Sequence, residues 1–409
     1  MEKGVDLFIP GNSLLVVGNG FDIGLHLPTK YTDFMKNFLE YRCSLHNLPF
    51  PAQRSRDEEK NKVYSLFKEK MDNWREQHKN NSIDNDLKVF DGTILRNRLI
   101  LILIFKYNKN ELFRFNENAL NTGAQNIKGK VSVFPKQLSE DFYRKVEISG
   151  DEINWFNLEE ILREISDRDS YKKITDCIKS FAGNSCILSR NQIDFNHKNY
   201  AELCRGLLFI KSSLSIYLRC VEEHYFSPIN QQTKLYFQKI CDDLKFRQDT
   251  NTKDYSEIIS LNYTHSAENL FNITTKYPHG QINPTEPESS QIVLGYYNST
   301  EENNFDTSFI DFQKYYQRIL LGTGNYETKD KTILYIDFYG FSCDPADTEL
   351  IKFLLTKHNK ARRIRIFCYK DRSQNIINMV KSIGREQVLD LTKNQSNTNQ
   401  PKLVFELIN

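Results

Sequence analysis

The sequence has little glycine and proline and no long apolar run. Its 409 residues include 17 glycines and 11 prolines, against 28 phenylalanines and 21 tyrosines. This balance argues against long disordered linkers and favours a packed globular chain. The most apolar stretch, Leu99 to Phe105, is far shorter than the roughly 20 residues that a membrane span requires. We therefore expect no membrane-spanning segment.

Disulfide and zinc patterns are also missing, because none of the eight cysteines belongs to a C-x-x-C pair or a zinc spacing. A chain of this length can bury enough apolar surface without disulfide bonds, so the cysteines are expected to be reduced thiols. The first residues lack the long apolar core of a secretory signal. Together these features predict a cytoplasmic protein without a bound metal.

Neither sign of charge is in large excess, since 55 lysines and arginines oppose 53 aspartates and glutamates, a formal net charge of +2. A nucleic-acid partner normally leaves a basic footprint on the chain, so nucleic acid is disfavoured as a partner. Ligands must instead be inferred from individual sites. The length favours two domains or one domain with a large insertion.

An apolar run near the start of the sequence, Leu14 to Val17, predicts a strand that is buried on both faces of a parallel sheet. Strand signals return only after residue 255 and alternate there with helical patterns. The strand signals are 257–261, 292–294, 333–338 and 364–369, and the helical patterns are 31–41, 347–358 and 373–383. This alternation predicts an α/β fold with a doubly wound, mostly parallel, Rossmann-like sheet.

The middle of the sequence has mostly helical periodicity, as in Tyr200 to His224. We therefore predict an α/β core formed by residues 1–41 and 256–409, with a mainly helical insertion at 42–255. The insertion could cap a ligand cleft, recognise a trigger or form an oligomer interface, and its sequence does not choose among these roles.

The loop after the first predicted strand reads GNGFD, from Gly18 to Asp22. Glycine and asparagine tolerate positive φ, so the sequence predicts a sharp turn here. Loops at the carboxyl ends of parallel strands bind nucleotides, and glycines let backbone amides approach phosphate closely. The dinucleotide fingerprint would require a third glycine where this chain has Ile23, so a purely structural turn remains an alternative.

Two further polar residues follow strand signals. Asn262 comes directly after EIISL and could hydrogen-bond a ribose hydroxyl or a water, although it could also cap a helix that begins near His265. His279 lies between Pro278 and Gly280, and its near-neutral pKa suits a general base. A structural hydrogen-bonding role is the alternative for this histidine.

The fourth segment is Gly340, Phe341 and Ser342, followed by Asp344 and Asp347. A strand that ends in Gly-x-Ser before a helix offers hydroxyl and backbone donors to an anion. It is not the Gly-x-Ser-x-Gly motif of serine hydrolases, because an aspartate occupies position 344. The order of the four segments, each at a predicted strand end, favours one nucleotide site.

GNGFD, the following LHLPT at 25–29 and the aromatic residues Tyr31 and Phe34 closely resemble the signature of the AbiH family of bacterial abortive-infection, or anti-phage, proteins. Further resemblance is carried by NWFNLE at 154–159, SLNYT at 260–264, the PHG step and 336–347. That family is in turn remotely similar to sirtuin-like NAD-binding domains. The resemblance implies a sirtuin-like core that takes NAD as a substrate or ligand.

The resemblance also implies roles for individual residues. Asn262 matches the strand-end asparagine of sirtuins and His279 matches their catalytic histidine. Thr264 stands where many sirtuins have an acidic residue, so Asp22 is the expected substitute carboxylate, and the implied catalytic residues are His279, Asn262 and Asp22. The implied NAD-binding residues are Gly18, Asn19, Gly20, Phe21, Pro28, Thr29, Gly340, Phe341 and Ser342. Sirtuin deacetylases carry a four-cysteine zinc module, which this sequence lacks, so deacetylation is disfavoured.

The function implied is that of an anti-phage effector, an enzyme that hydrolyses the nicotinamide–ribose bond of NAD and so depletes the cell of NAD. Two alternatives stay open. One is a non-catalytic sensor of NAD, ADP-ribose or a related nucleotide that signals to a partner, and the other is a nuclease acting on tRNA or DNA. A phage-derived trigger and a second copy of the chain are the expected macromolecular partners.

Overall fold

The computed structural model describes twelve parts of the chain: 12–45, 57–77, 162–167, 172, 197–244, 255–283, 286, 290–296, 309–324, 326–328, 332–393 and 401–408. The chain divides into two compact units. The first, here called the sheet unit, is drawn from 1–29, 218–293 and 314–409, and the second, the helical unit, from 30–217 and 294–313. The predicted core of 1–41 and 256–409 with an insertion at 42–255 stays a prediction.

Six parallel strands form one sheet in the order β3-β2-β1-β4-β5-β6. The strands are β1 (Ser13–Val17), β2 (Glu257–Ser260), β3 (Thr275–Lys276), β4 (Tyr335–Tyr339), β5 (Arg363–Tyr369) and β6 (Leu403–Ile408). The predicted parallel α/β sheet is therefore confirmed. This is the strand order of Rossmann-like folds, in which ligands bind outside the carboxyl ends of the strands where the order reverses. That switch point lies between β1 and β4.

Helices follow the strands in the α/β manner. They are α1 (Asn19–Gly24), α2 (Tyr31–Leu45), α3 (Glu58–Gln77), α4 (His197–Phe226), α5 (Gln231–Leu244), α6 (Ser266–Phe271), α7 (Lys314–Leu321), α8 (Thr348–Lys357), α9 (Ser373–Ile383) and α10 (Arg385–Thr392). Short 3-10 turns precede α7 and α8, at Ile310–Phe312 and Pro345–Asp347. The helices predicted at 31–41, 347–358 and 373–383 are confirmed, with shifted ends at the first two.

The core of the sheet unit forms because parallel strands are covered on both faces. All five residues of β1 are buried, which explains the uninterrupted apolar run from Leu14 to Val17. Leu14, Val16 and their neighbours on β2, β4 and β5 pack with the apolar faces of α8 and α9. The helical unit has its own aromatic cluster, in which the rings of Phe34 and Phe67 lie 5.7 and 5.6 Å from that of Tyr217.

Two local predictions were wrong. Residues Ile292 to Leu294 are buried but form no strand, because the backbone of Val293 bonds to loop residues instead: its amide donates to His279 O at 2.8 Å and its carbonyl accepts from Tyr263 Oη at 2.7 Å. The segment after β1 is not a positive-φ turn either. Gly18 is extended, with φ −110°, and α1 begins at the next residue.

Candidate nucleotide site at the switch point

The glycines of the first loop meet Gly340, the residue that follows β4. A Cβ atom added to Gly18 or Gly20 would lie 2.6 Å from the backbone of Gly340, and one added to Gly340 would lie 2.1 Å from Phe21 N. The Gly18 amide donates to Tyr339 O at 3.1 Å and the Gly20 amide to Gly340 O at 2.8 Å. These glycines therefore allow the two loops that border the switch point to cross backbone against backbone.

The remaining predicted NAD-binding residues of the first loop lie beside this crossing. Thr29 Oγ1 donates to Asn19 Oδ1 at 3.2 Å, and Pro28 is buried next to it in the chain. The Phe21 side chain is fully buried, with its ring 5.9 Å from Phe271 and 6.2 Å from Tyr339. Phe21 thus belongs to the packed interior, and its backbone is the part that the loop can present to a ligand.

The loop after β4 is tied to helix α9. Asn375 Nδ2 donates to Phe341 O and Asn378 Nδ2 to Ser342 O, both at 2.9 Å. The ring of Phe341 stacks on Phe338 with centroids 5.4 Å apart, whereas the Ser342 side chain is exposed. Side-chain contact with a nucleotide is therefore open to Ser342, while Phe341 serves the core.

Asp22 lies on α1 and is buried against the segment that follows β2. Its carboxylate accepts hydrogen bonds from Thr264 Oγ1 at 2.7 Å and from Ser266 Oγ. Only 1% of Asp22 is exposed. The chain thus places a carboxylate at the side chain of Thr264, the position at which the resemblance implies an acidic residue.

The donors around Asp22 are neutral, and no described lysine, arginine or histidine forms an ion pair with it. Burial raises the pKa of Asp22 from 3.8 to about 6, and the nearby Glu222 adds to that increase, while the bonds from Ser266 and Thr264 oppose it. Buried charges are normally paired. Asp22 is therefore a buried carboxylate for which the described residues supply no cationic partner.

Asn262 stands next to this carboxylate. Its amide lowers the pKa of Asp22, yet Nδ2 is buried and completes no hydrogen bond with any described residue. Helix α6 begins at Ser266 with no side-chain cap bond, so Asn262 does not cap it. A buried donor without a partner costs about 1–3 kcal/mol, and a ligand or water acceptor would remove that cost.

His279 lies in the loop after β3, close to Asp347. His279 Nε2 and Asp347 Oδ1 are 3.1 Å apart, but their alignment completes no hydrogen bond. Gly280 is required beside the histidine, because its φ is +78° and a Cβ there would lie 1.3 Å from Gln291 O. Burial and the charge of Lys314 lower the pKa of His279 to about 4, so the imidazole is neutral at pH 7.

The predicted residues thus form two groups at the same edge of the sheet. Asp22 and Asn262 belong to one group with Thr264 and Ser266, and His279 belongs to the other with Asp347. The backbone connects the two, since the Ile282 amide donates to Tyr263 O at 3.0 Å. In the part of the chain that the structure describes, no group of three or more His, Cys, Asp or Glu is placed to hold a metal ion.

The family model described as bacteriophage abortive infection AbiH matches residues 14–369. The chain belongs to the AbiH family. Membership implies a role in phage abortive infection and confirms the resemblance carried by the first loop. No curated protein and no solved structure shows significant similarity to the chain. Of the helices described in this AbiH protein, none has the length and apolar character needed to cross a membrane.

Three residues of the site in this AbiH protein, Ser266, Lys314 and Glu222, were not predicted from its sequence. Ser266 bonds Asp22 as Thr264 does, and the two-residue steps from Asn262 to Thr264 and from Thr264 to Ser266 were a usable signal. Lys314 and Glu222 gave no such signal, because each is separated from its partner by many residues. Glu222 contacts His265, the residue before α6, with its Oε2 3.2 Å from His265 Nδ1.

Proposed function

We propose that this AbiH protein binds NAD at the switch point and hydrolyses its nicotinamide–ribose bond, which would deplete NAD during phage infection. The single observation that carries the proposal is Asp22, a fully buried carboxylate with neutral donors and no described cationic partner. Cleavage of this bond develops positive charge on the ribose. A preorganised anion in a water-poor site stabilises such a transition state strongly.

The other groups fit the same reaction. Asn262 would use its unpartnered Nδ2 to position a ribose hydroxyl or the attacking water. His279, neutral at pH 7, would accept the proton of that water as its oxygen bonds to C1′. The electrons of the broken C1′–N bond stay on the nicotinamide nitrogen, and the products are nicotinamide and ADP-ribose. The Gly18 to Phe21 and Gly340 to Ser342 loops, with Pro28 and Thr29, would hold the dinucleotide.

Chromatographic quantitation of nicotinamide and ADP-ribose tests the proposal. Purified protein is incubated with NAD, with and without extract from phage-infected cells. We expect release by the wild type and a loss of about a hundredfold to ten-thousandfold in His279→Ala, the usual value of a general base. The Asn262→Ala change should also lower turnover. Asp390→Asn, which alters an exposed carboxylate on α10, is the matched control and should retain full activity.

A nucleotide sensor is the second candidate, and the low pKa of His279 favours it. A pKa of about 4 makes the imidazole a weak base, so the site could bind a nucleotide without hydrolysing it. Calorimetric binding of NAD or ADP-ribose without product, in both buffer and infected-cell extract, would support the sensor. If the protein neither binds the nucleotides nor forms product, both functions are contradicted.

A further inference from the structure

Helix α7 has an inverted polarity. Lys314, Gln317 and Arg318, which share one face, are 2%, 4% and 4% exposed, whereas Ile319 and Leu320 are 73% and 64% exposed. Burial of two cations is unfavourable unless anions pair with them. The inward-facing charges of α7 therefore require acidic partners inside the sheet unit.

Those partners are Asp347 and Glu349. Lys314 Nζ lies 3.8 Å from Asp347 Oδ1, and Arg318 Nη1 lies 2.9 Å from Glu349 Oε2. The same Asp347 oxygen is the one that faces His279 Nε2. One carboxylate oxygen is thus shared between a buried lysine and the histidine that the proposed reaction uses as a base.

The position of Asp347 in the chain sharpens this observation. An aspartate directly before a helix normally caps it by accepting a backbone N–H bond. Asp347 immediately precedes α8, yet its side chain makes no cap bond. Asp371, two residues before α9, does accept a hydrogen bond from the amide of Ser373, the first residue of that helix, at 3.0 Å. The Asp347 carboxylate is therefore directed to His279 and Lys314 rather than to its own helix.

We propose that Asp347 is a positioning residue for His279: it holds the imidazole with the proton on Nε2 and leaves Nδ1 as the base, while Lys314 keeps Asp347 ionised. This inference rests on the proposed hydrolysis for its kinetic meaning. His279 Nδ1 makes no hydrogen bond with any described residue. The Nε2 contact is close but poorly aligned, and such contacts often tighten only when the ligand binds.

The charges around His279 support this division of roles. Burial alone would raise the pKa of Asp347, but Lys314 and His279 hold it well below its usual range. The pKa of His279 is lowered most by burial, then by the charge of Lys314 and then by that of Arg318, whereas Asp347 raises it. At neutral pH, His279 is therefore a neutral imidazole beside an ionised Asp347.

The tautomer can be read directly by long-range ¹H–¹⁵N spectra of the protein, with the His279 signals assigned by their loss in His279→Ala. At pH 7 we expect the proton on Nε2 and a free, pyridine-type Nδ1. A proton on Nδ1 in the wild type would overturn the proposal, whatever the variants do and whether or not NAD is hydrolysed. In Asp347→Asn the single Nε2–H form should be lost, because the amide can donate to the ring; retention of that form would also overturn it.

A second spectroscopic measurement isolates Lys314. Lys314→Met keeps the aliphatic stem and removes the charge, so the pKa of His279 should rise, as followed by its Cε1–H shift during a pH titration. The same substitution on the exposed surface, Lys62→Met, is the control and should leave that titration unchanged. A His279 pKa that stays fixed or falls in Lys314→Met contradicts the electrostatic role of Lys314.

Kinetics then separate positioning from a purely structural role. Asp347→Asn should lower kcat by at least about tenfold, since replacing the aspartate that orients a general-base histidine can cost up to about ten-thousandfold, with KM nearly unchanged. Asp347→Glu should recover part of kcat. Asp371→Asn, which changes the exposed carboxylate that bonds the Ser373 amide at the start of α9, should leave kcat unchanged. Equal kcat in Asp347→Asn and the wild type would overturn the proposal, whereas a wild type without turnover would contradict the proposed function alone.

Discussion

Asp22 and Asp347 are two buried carboxylates at the same edge of one sheet, and their surroundings act in opposite directions. Hydroxyl groups surround Asp22, and its burial raises its pKa to about 6. Lys314 and His279 surround Asp347 and hold its pKa far below the usual range, in spite of burial. Burial disfavours the ionised form of a carboxylate, and the charges of its neighbours determine whether it is nevertheless ionised. Of these two carboxylates, Asp22 is the one without a described cationic partner, so it is the one that can pair with a cationic ligand.

Replacing the carboxylate of Asp22 tests this difference most directly. Asp22→Asn removes the charge that would face the ribose cation, and we expect nicotinamide release to fall by about a hundredfold to a thousandfold, the usual effect of removing one preorganised electrostatic group. The Thr264 and Ser266 hydroxyls can reorient to bond the amide. Asp390→Asn is again the matched control, and wild-type turnover in Asp22→Asn would remove Asp22 from the mechanism.

The same variant should be more stable than the wild type at pH 7. The folded-state pKa of Asp22 is raised, so its contribution to stability is present below the unfolded-state pKa of 3.8 and is lost as the pH rises through about 6. The ionised side chain therefore costs up to about 3 kcal/mol at neutral pH. Denaturant unfolding of Asp22→Asn at pH 7 and pH 4 measures this, and a gain that is no larger at pH 7 would contradict it.

The two loops that cross at Gly340 lead to the two carboxylates, the loop after β1 to Asp22 and the loop after β4 to Asp347. Gly340→Ala should disrupt this crossing. Gly340 has φ +62° and no room for a Cβ, whereas Gly322 has φ +66° and nothing within 4 Å. Positive φ alone costs a side chain about 1–2 kcal/mol, so Gly322→Ala should lose about that much and Gly340→Ala at least about 1 kcal/mol more. Chemical unfolding compares them, and equal losses would mean that the crossing is not tightly packed.

The two carboxylates also differ in how far the sequence could predict them. The strand at Leu14 to Val17 was predictable because a doubly covered strand is apolar at every position. Asp22 belongs to the loop that follows this strand, so the strand signal also predicted the position of its carboxylate at the strand end. Asp347 was noted only as part of the Gly340 segment, because its partner Lys314 lies on a helix with no sequence signal for an inward-facing charge.

Other failures have the same physical origin. Burial makes a segment apolar whether or not it joins a sheet, so Ile292 to Leu294 resembled a strand and is not one. Conversely, β3 has only two residues, both half-buried, and gives no periodicity to detect. Helix α7 violates the expectation that apolar residues face inward. Such violations are expected where function rather than packing determines the sequence.

The acid side of the pH profile should distinguish the two groups of the site. If Asp22 must be ionised, kcat/KM should fall about tenfold per pH unit below about 6. A dependence on His279 alone would instead place the fall near pH 4. In Asp22→Asn the residual activity should lose the limb near pH 6. A limb at pH 6 that persists in this variant would assign the titration to another group.

The smallest and most specific effect is expected at Thr264, whose hydroxyl donates to Asp22 at 2.7 Å. Thr264→Val keeps the shape of the side chain and removes a bond that favours the ionised carboxylate. A hydrogen bond to a charged group contributes about 1.5–3 kcal/mol, so the acid limb should move to higher pH by roughly one to two units. Thr264→Ser keeps the hydroxyl and should leave the limb in place. A limb that moves to lower pH in Thr264→Val, or moves equally in both variants, would show that this hydroxyl does not set the charge of Asp22.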